Sequence, residues 1–505
     1  NFVLKDNNLS SIKHNLDFAT NKKPDTPTNR ISTSLFSKDR LSFLLKYALA
    51  YANESDGIQK QIMRYPQIFA TKAVVKKLDK GIRKGIIWHT QGSGKTALAF
   101  YSVRFLSDYY QNKTIITKFY FIVDRIDLLI QAQREFSSRG LIVHIVDSRE
   151  EFAKEIKSKK VIHNTSGKAE ITVVNIQKFK DDPNVVRKKD YNVNIQRIYF
   201  LDEVHRSYNP KGSFLANLVQ SDPDSIKIGL TGTPLLGEDH NSRALFGDYI
   251  HKYYYNSSIA DGYTLRLIRE DIESNYQMVM KNALADIEVI KGDAERKWVY
   301  SHRQFVEPML DYIIKDFERS RLIHEDNTIG GMVICDSSEQ AKEMFKIFET
   351  RSTVIDKPNK VKLTALILHD VGTKEDRKKK VEDFKDGKID LLFVYNMLLT
   401  GFDSPRLKKL YLGRVIKKHN LLQALTRVNR TYKTHRFGYV VDFADIREEF
   451  DATNVAYFEE LQSELGDDFK TYSELFKSKE EIEDEIAEVQ NILLHYETEN
   501  IEVFT

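Results

Sequence analysis

The stretch Trp88-His89-Thr90-Gln91-Gly92-Ser93-Gly94-Lys95-Thr96 has the residue types needed to hold phosphate. It follows the apolar run Ile86-Ile87-Trp88 and precedes a helical pattern over Ala97–Leu106. Glycines at such a strand-to-helix turn let backbone amides close around phosphate oxygens, and the helix start adds its positive dipole end. Gln91, Gly92, Ser93 and Gly94 form that turn. Lys95 would reach the β- and γ-phosphates, and the Thr96 hydroxyl would serve Mg²⁺. The general pattern asks for a further glycine where His89 stands.

A second cluster, Asp202-Glu203-Val204-His205, directly follows the apolar run Ile198-Tyr199-Phe200-Leu201. A carboxylate at a strand end, Asp202, can hold Mg²⁺, and its neighbour Glu203 can orient and deprotonate an attacking water. Thr231-Gly232-Thr233-Pro234 ends the next apolar run, where hydroxyls can couple a nucleotide site to a nucleic-acid groove. Further on come Thr400-Gly401-Phe402-Asp403 and Gln423-Ala424-Leu425-Thr426-Arg427-Val428-Asn429-Arg430. Gly401 and Asp403 join the nucleotide-binding set. Gln423, Arg427 and Arg430 have the spacing of one helix face, from which two guanidinium groups could stabilise charge on a transferring phosphoryl group.

The elements that must position these residues are short apolar runs alternating with helical stretches. One series covers Ile86–Trp88, Phe119–Val123, Leu141–Val143, Ile171–Val174, Ile198–Leu201 and Ile226–Leu230. Another covers Met332–Cys335, Leu363–Ile367, Leu391–Val394, Leu410–Leu412 and Tyr439–Val441. Near-continuous apolar runs of this kind read as parallel strands buried on both faces. The fold class is therefore α/β, with two tandem parallel-sheet domains over 46–260 and 261–445. Residues 1–45 read as a linker followed by a helix over 37–51, and 446–505 as an acidic helical segment with a packing helix at 472–494. Residues 235–300 read as a connection with inserted structure.

Composition sets outer limits. Hydrophobic residues are 41%, charged residues 30% and aromatics 11%, so a wholly disordered chain is excluded. The single cysteine, Cys335, excludes an intrachain disulfide or a Cys-rich zinc site and fits a reducing compartment. No apolar run approaches the ~18 residues of a membrane span, and the chain reads as cytoplasmic. The net charge of +4 conceals an asymmetry: residues 446–505 hold 4 Lys/Arg against 18 Asp/Glu, leaving 73 against 55 in residues 1–445. A basic body fits a polyanion partner, although surface lysines that merely solvate the fold give the same count.

Taken together, these motifs resemble the superfamily 2 helicase and translocase ATPases. More narrowly, they resemble the motor (R) subunit of type I restriction–modification enzymes, on the strength of residues 88–96, Asp202-Glu203-Val204-His205-Arg206-Ser207, residues 420–430 and Thr33-Ser34-Leu35-Phe36-Ser37-Lys38-Asp39-Arg40-Leu41. The resemblance implies two RecA-like domains hydrolysing ATP with Mg²⁺ at the cleft between them, and translocation of duplex DNA. It implies partner specificity and methyltransferase subunits, and no membrane. Arg64 and Gln67 take the place of an adenine-reading motif. The segments carrying Arg125 and Gln177 take the place of nucleic-acid-contacting motifs, with Thr231, Gly232 and Thr233 in coupling; the Arg125 and Gln177 segments equally fit ordinary loops after strands. The family's N-terminal nuclease domain finds no counterpart in the ~45 residues before the motor, so the chain is expected to be a motor fragment. The alternative is a strand-separating DNA or RNA helicase of the same superfamily. A nucleotide-binding scaffold without hydrolysis would lack Lys95, Glu203, Arg427 or Arg430, and all four are present.

Overall fold

A computed structural model of the chain describes residues 38–54, 57–124, 126–146, 148–158, 161, 163–175, 195–203, 222, 224–232, 246–291, 296–351, 360–399, 402–416, 418–443, 483–484 and 486–488. The chain divides between Asp261 and Gly262 into two compact units.

The first unit opens with helix α1 (Lys38–Phe43), a wider π-turn at Leu44–Ala48, and an antiparallel hairpin of β1 (Leu49–Glu54) and β2 (Gly57–Ile62). The expected helix over 37–51 is observed over Lys38–Ala48, and the hairpin corrects only its end, from Leu49 on. Leu49-Ala50-Tyr51-Ala52 has helix-forming residues, but Ala50 and Ala52 are buried while Tyr51 is exposed. That alternation by two suits a strand, and Gly57, at φ +105°, opens the return strand.

There follow α2 (Tyr65–Asp79), β3 (Lys84–His89), α3 (Lys95–Gln111), β4 (Ile116–Val123), α4 (Ile126–Ser138), β5 (Ile142–Val146), α5 (Arg149–Lys157), β6 (Glu170–Asn175), β7 (Ile195–Leu201), β8 (Ile226–Thr231), β9 (Tyr249–Tyr253) and α6 (Tyr255–Ala260). The seven strands β3 to β9 form one parallel sheet in the order β5-β6-β4-β7-β8-β3-β9. Its inner strands β6, β7 and β8 are buried at every residue, which is why they read as unbroken apolar runs. Tyr120 and Tyr199 stack on neighbouring strands with ring centroids 4.8 Å apart.

The second unit contains β10 (Arg266–Asp271), α7 (Ser274–Lys291), α8 (Arg296–Ser301), α9 (Arg303–Ile323), β11 (Gly330–Ile334), α10 (Ser338–Arg351), β12 (Thr364–Ile367), α11 (Lys374–Lys385), β13 (Leu391–Val394), β14 (Leu407–Leu412), α12 (Lys418–Leu425) and β15 (Phe437–Asp442). Its six strands are again all parallel, in the order β10-β15-β14-β11-β13-β12. The expected architecture of two parallel α/β sheets, as in tandem RecA-like domains, is therefore observed. The stretch 235–300 yields strands that the sequence hides. β9 and β10 are edge strands, only partly buried, so polar residues interrupt their apolar pattern.

Of the acidic segment, residues 483, 484 and 486–488 are described; they are helical and exposed. The rest of that segment and the expected linker lie outside the described residues. Among the described residues, no helix is long and apolar enough to cross a membrane.

The glycine pair opening β11 shows how tightly the second sheet is packed. A Cβ on Gly331 would come within 2.5 Å of Leu391 and 3.0 Å of Phe317, and one on Gly330 within 2.5 Å of Phe384. Gly331→Ala is therefore expected to overpack this core and to cost about 1–3 kcal/mol. Urea unfolding of the chain checks it; an unchanged midpoint for the second unit would contradict the packing described.

Candidate nucleotide site

All strands of the first sheet run the same way, so the loops after β3, β7 and β8 leave the same edge. β8 lies between β3 and β7. At a strand spacing of ~4.8 Å, the loop after β3 and the residues after β7 are about 10 Å apart. The turn after β8 sits between them.

β3 ends at His89 and α3 begins at Lys95. Between them the chain reverses through Gly92 and Gly94, both left-handed at φ +83° and +81°, where a side chain is costly. Ser93 N donates to Thr90 O (3.2 Å) and Leu98 N to Gly94 O (2.9 Å), fixing both ends of the turn. The hydroxyls of Thr90 and Ser93 are buried with no hydrogen-bond partner among the described residues. They stand beside a helix start whose first amides lack partners within the helix, an arrangement an acceptor-rich phosphate would satisfy. Lys95 is buried, and its Nζ donates to His89 O at 3.4 Å.

α2 braces this loop. Arg64 Nη1 donates to Gly92 O (3.1 Å), and Gln67 Nε2 donates to Gly94 O (2.9 Å) and Ser93 O (3.4 Å). Gln67 Oε1 accepts from Arg64 N, and Pro66 in the first turn pre-sets the helix. The structure thus brings Arg64 and Gln67 to the phosphate loop itself, where they hold its carbonyls.

Asp202 and Glu203 leave the end of β7. Asp202 is buried, and its N–H donates to Ile122 O at 2.9 Å. Burial first, then the like charges of Glu203 and Asp124, push its carboxyl up to about 7, while the Lys95 ammonium pulls it down. Glu203 adopts φ +50°, a conformation a non-glycine residue holds only when its surroundings impose it. Asp124 and Asn175, at the ends of β4 and β6, are also buried at this sheet edge. Thr231 is buried at the end of β8. A Cβ on the following Gly232 would lie 2.9 Å from Lys95 Nζ and 3.4 Å from Gln91 N. Gly232 is bare because the Lys95 ammonium occupies that space.

Hydroxyl and carboxylate oxygens are the ligands a hard divalent cation prefers. The clustered carboxylates, one of them raised by burial and then by its neighbours, would be eased by such a charge. These oxygen donors are of the type that suits Mg²⁺, which Thr96 and Asp202 would hold.

The remaining nucleotide candidates lie in the second unit. Arg427 is buried: its Nε donates to Gln423 O at 3.0 Å, and its Nη1 to Phe402 O. Arg430 is mostly buried and pairs through Nε with Asp403 Oδ1 at 3.2 Å. The expectation that Gln423, Arg427 and Arg430 share one helix face is corrected, because α12 ends at Leu425. Arg427 N and Val428 N donate three residues back, to Ala424 O and Leu425 O, and Thr426 Oγ1 takes up Gln423 O. The tightened turn delivers Arg430 to a bridge with Thr264. Lys408 Nζ, on β14, donates to Arg430 O and secures this segment. Burial, then the nearby Arg430 charge, bring the Lys408 ammonium down to about 7.

Arg125, Gln177, Thr233 and Gly401 lie outside the described residues. Sequence reading missed the support given by β9. Thr90 N donates to Tyr253 O (2.9 Å), and His89 Nε2 lies 2.8 Å from His251 Nδ1. Complete burial, then the His251 and Lys95 charges, hold His89 well below its usual range, so the ring is neutral. The aromatic run Tyr249–Tyr255 was the available signal.

Comparison with known proteins agrees with this geometry. Residues 66–297 match the SWI2/SNF2 ATPase family, and residues 336–445 match domain 3 of type I restriction enzyme subunit R. The chain thus carries a SWI2/SNF2-type ATPase domain of superfamily 2. It is homologous to the motor subunits of type I restriction enzymes. The endonuclease subunit of type I restriction enzyme SauCOLORF180P from Staphylococcus aureus is 27% identical over 88% of this chain and 51% of its own length. That of HindI from Haemophilus influenzae is 24% identical over 91% of this chain and 47% of its own length. The chain spans about half the length of these relatives. In fold it resembles the ATP-dependent type ISP restriction–modification enzyme LlaBIII, with a TM-score of 0.57 over 77% of this chain and 28% of that one, at 15% identity.

The Gly232–Lys95 contact yields a test separating folding from chemistry. In Gly232→Ala the new Cβ is too close only to the flexible end of Lys95 and stands at ordinary contact distance from the Gln91 backbone, so the chain is expected to melt as the wild type does. Its ATP turnover is expected to fall about 10²-fold as the ammonium is displaced. Normal turnover would show that Lys95 does not act from this position.

Proposed function

We propose that this chain is the ATP-driven motor of a type I restriction enzyme and translocates duplex DNA. The observation that carries the reading is the meeting of a braced phosphate loop with a carboxylate pair, Asp202 buried and Glu203 half-buried, at one sheet edge. The basic balance of residues 1–445 supports a polyanionic track. The relatives' names, endonuclease subunits of type I restriction enzymes, support an assembly with further subunits, among them those for sequence recognition and methylation that this reading proposes.

Gln91–Thr96 hold the β- and γ-phosphates through backbone amides and the Lys95 ammonium. Bound Mg²⁺ would neutralise β- and γ-phosphate oxygens. Glu203 orients a water against the γ-phosphorus and accepts its proton. The water oxygen bonds to phosphorus as the bond to the leaving ADP oxygen breaks. The Lys95 charge and the fixed amides are preorganised for the charge that develops. Arg430 is the better candidate of the two arginines for the γ-phosphoryl charge, because Arg427 is spent on main-chain carbonyls.

Three outcomes are expected. Glu203→Gln should bind ATP with near wild-type affinity but stop hydrolysis, measured by nucleotide titration beside turnover; near-normal turnover would remove the water-activating role. Arg430→Ala should lower turnover by as much as about 10³-fold with little change in affinity. Arg427→Ala should instead lower the melting temperature, costing about 1–3 kcal/mol for carbonyls left without a donor. The reverse assignment in turnover and melting assays would overturn the division of roles. Displacement of a triplex-forming strand from linear duplex DNA, dependent on ATP and lost in Glu203→Gln, tests translocation. Separation of the duplex strands instead would favour a helicase.

A further inference from the structure

A second cluster of chemistry-bearing side chains lies in the first unit, apart from the nucleotide site. Lys118 on β4 pairs in register with Arg197, and Asp202 lies five residues beyond Arg197, about 17 Å further along the strands. Here residues from three segments converge: His144 on the edge strand β5, Glu155 on α5, and His163 shortly before β6. One ligand atom from each lies within 4.8 Å of the others. The two imidazole rings stack with centroids 4.1 Å apart and planes 11° from parallel. His163 Nε2 lies 2.8 Å from Glu155 Oε2.

The surroundings support the ligand atoms individually, and the near-parallel rings would splay apart for both lone pairs to meet one ion. His163 Nδ1 lies 2.6 Å from Glu170 Oε1, which fixes the ring and leaves Nε2 for other use. Glu170 is held by donors of its own, from the backbone N–H of His163 and from Asn164 N and Nδ2. A carboxylate behind a histidine is the usual outer support of a metal-bound imidazole. Glu155 has its other oxygen, Oε1, 2.8 Å from Lys118 Nζ, so Oε2 remains the ligand atom. His144 is half-buried, and among the described residues neither of its ring nitrogens makes a hydrogen bond. A cavity of about 280 Å³ touching Lys118, Glu170 and Thr172 brings solvent to the network.

We infer that His144, Glu155 and His163 form a binding site for a divalent transition metal of the zinc class. Two imidazole nitrogens and one carboxylate oxygen match a three-ligand zinc set with one open position. Mg²⁺ and Ca²⁺, which prefer oxygen, are disfavoured. Zinc bonds of ~2.0–2.2 Å would draw the three atoms to about 3.3 Å separation. The ion would take the place of the direct His163–Glu155 contact and staple β5 to α5 at the sheet edge.

The test uses the whole chain, stripped of metal with a chelator and free of nucleotide. Titration with Co²⁺ should give one equivalent of bound ion with the visible absorption of tetrahedral coordination, displaced by Zn²⁺. The signal should survive Asp202→Asn, which spares this cluster. It should vanish in His144→Ala and His163→Ala, and Glu170→Gln should weaken binding about 10–100-fold. Zn²⁺ should raise the melting temperature of the wild type and not of His144→Ala; the half-exposed position of His144 makes that variant the safer folder. No saturable Co²⁺ spectrum, or one unchanged in His144→Ala, would mean an ion-pair network only and would overturn the site.

Discussion

The first unit is organised around one electrostatic constraint: the Lys95 ammonium and the Asp202 carboxyl buried at the same edge of a parallel sheet. Lys95 and Asp202 are each under 10% exposed, and Glu203 sits beside them in a left-handed backbone conformation. Burying such charges is costly unless they are matched. Here Lys95 offsets Asp202 only in part, since the Asp202 carboxyl still stands well above its usual range. A polyphosphate with its cation would complete the match. The bare Gly232, the left-handed Gly92 and Gly94, and the braces from Arg64 and Gln67 all follow from holding that ammonium in place.

The second unit repeats the parallel sheet but spends its basic residues differently. Arg406 on β11's flank donates to the carbonyls of Thr328, Phe384 and Ile389, and Arg427 to those of Gln423 and Phe402. Buried guanidinium groups there close backbone that would otherwise lack donors. Arg430 differs in facing a carboxylate, Asp403, across 3.2 Å. An ion pair with a partly exposed acid is more readily exchanged for a phosphate than bonds to buried carbonyls.

The phosphate loop and the carboxylate pair were legible because each is a short local motif at the end of a buried strand. The two sheets were legible because strands covered on both faces must be apolar throughout. What escaped depends on distant partners. Leu49–Glu54 has helix-forming residues, and only pairing with Gly57–Ile62 makes it a strand. Tyr249–Tyr253 mixes aromatic and basic side chains, and its role emerges only where Tyr253 O and His251 meet Thr90 and His89. The spacing of Gln423, Arg427 and Arg430 fits a helix, yet the chain turns at Leu425 toward Thr264. The His144–Glu155–His163 cluster has no sequence motif, since a strand, a helix and the segment before β6 meet only in the fold.

The most direct measurement is steady-state ATP turnover by the purified chain with and without linear duplex DNA, at low and physiological salt. A motor driven by the site described here should turn over ATP slowly alone and faster with DNA, and the stimulation should weaken as salt displaces phosphate contacts. Turnover indifferent to duplex DNA at every salt concentration would contradict the account.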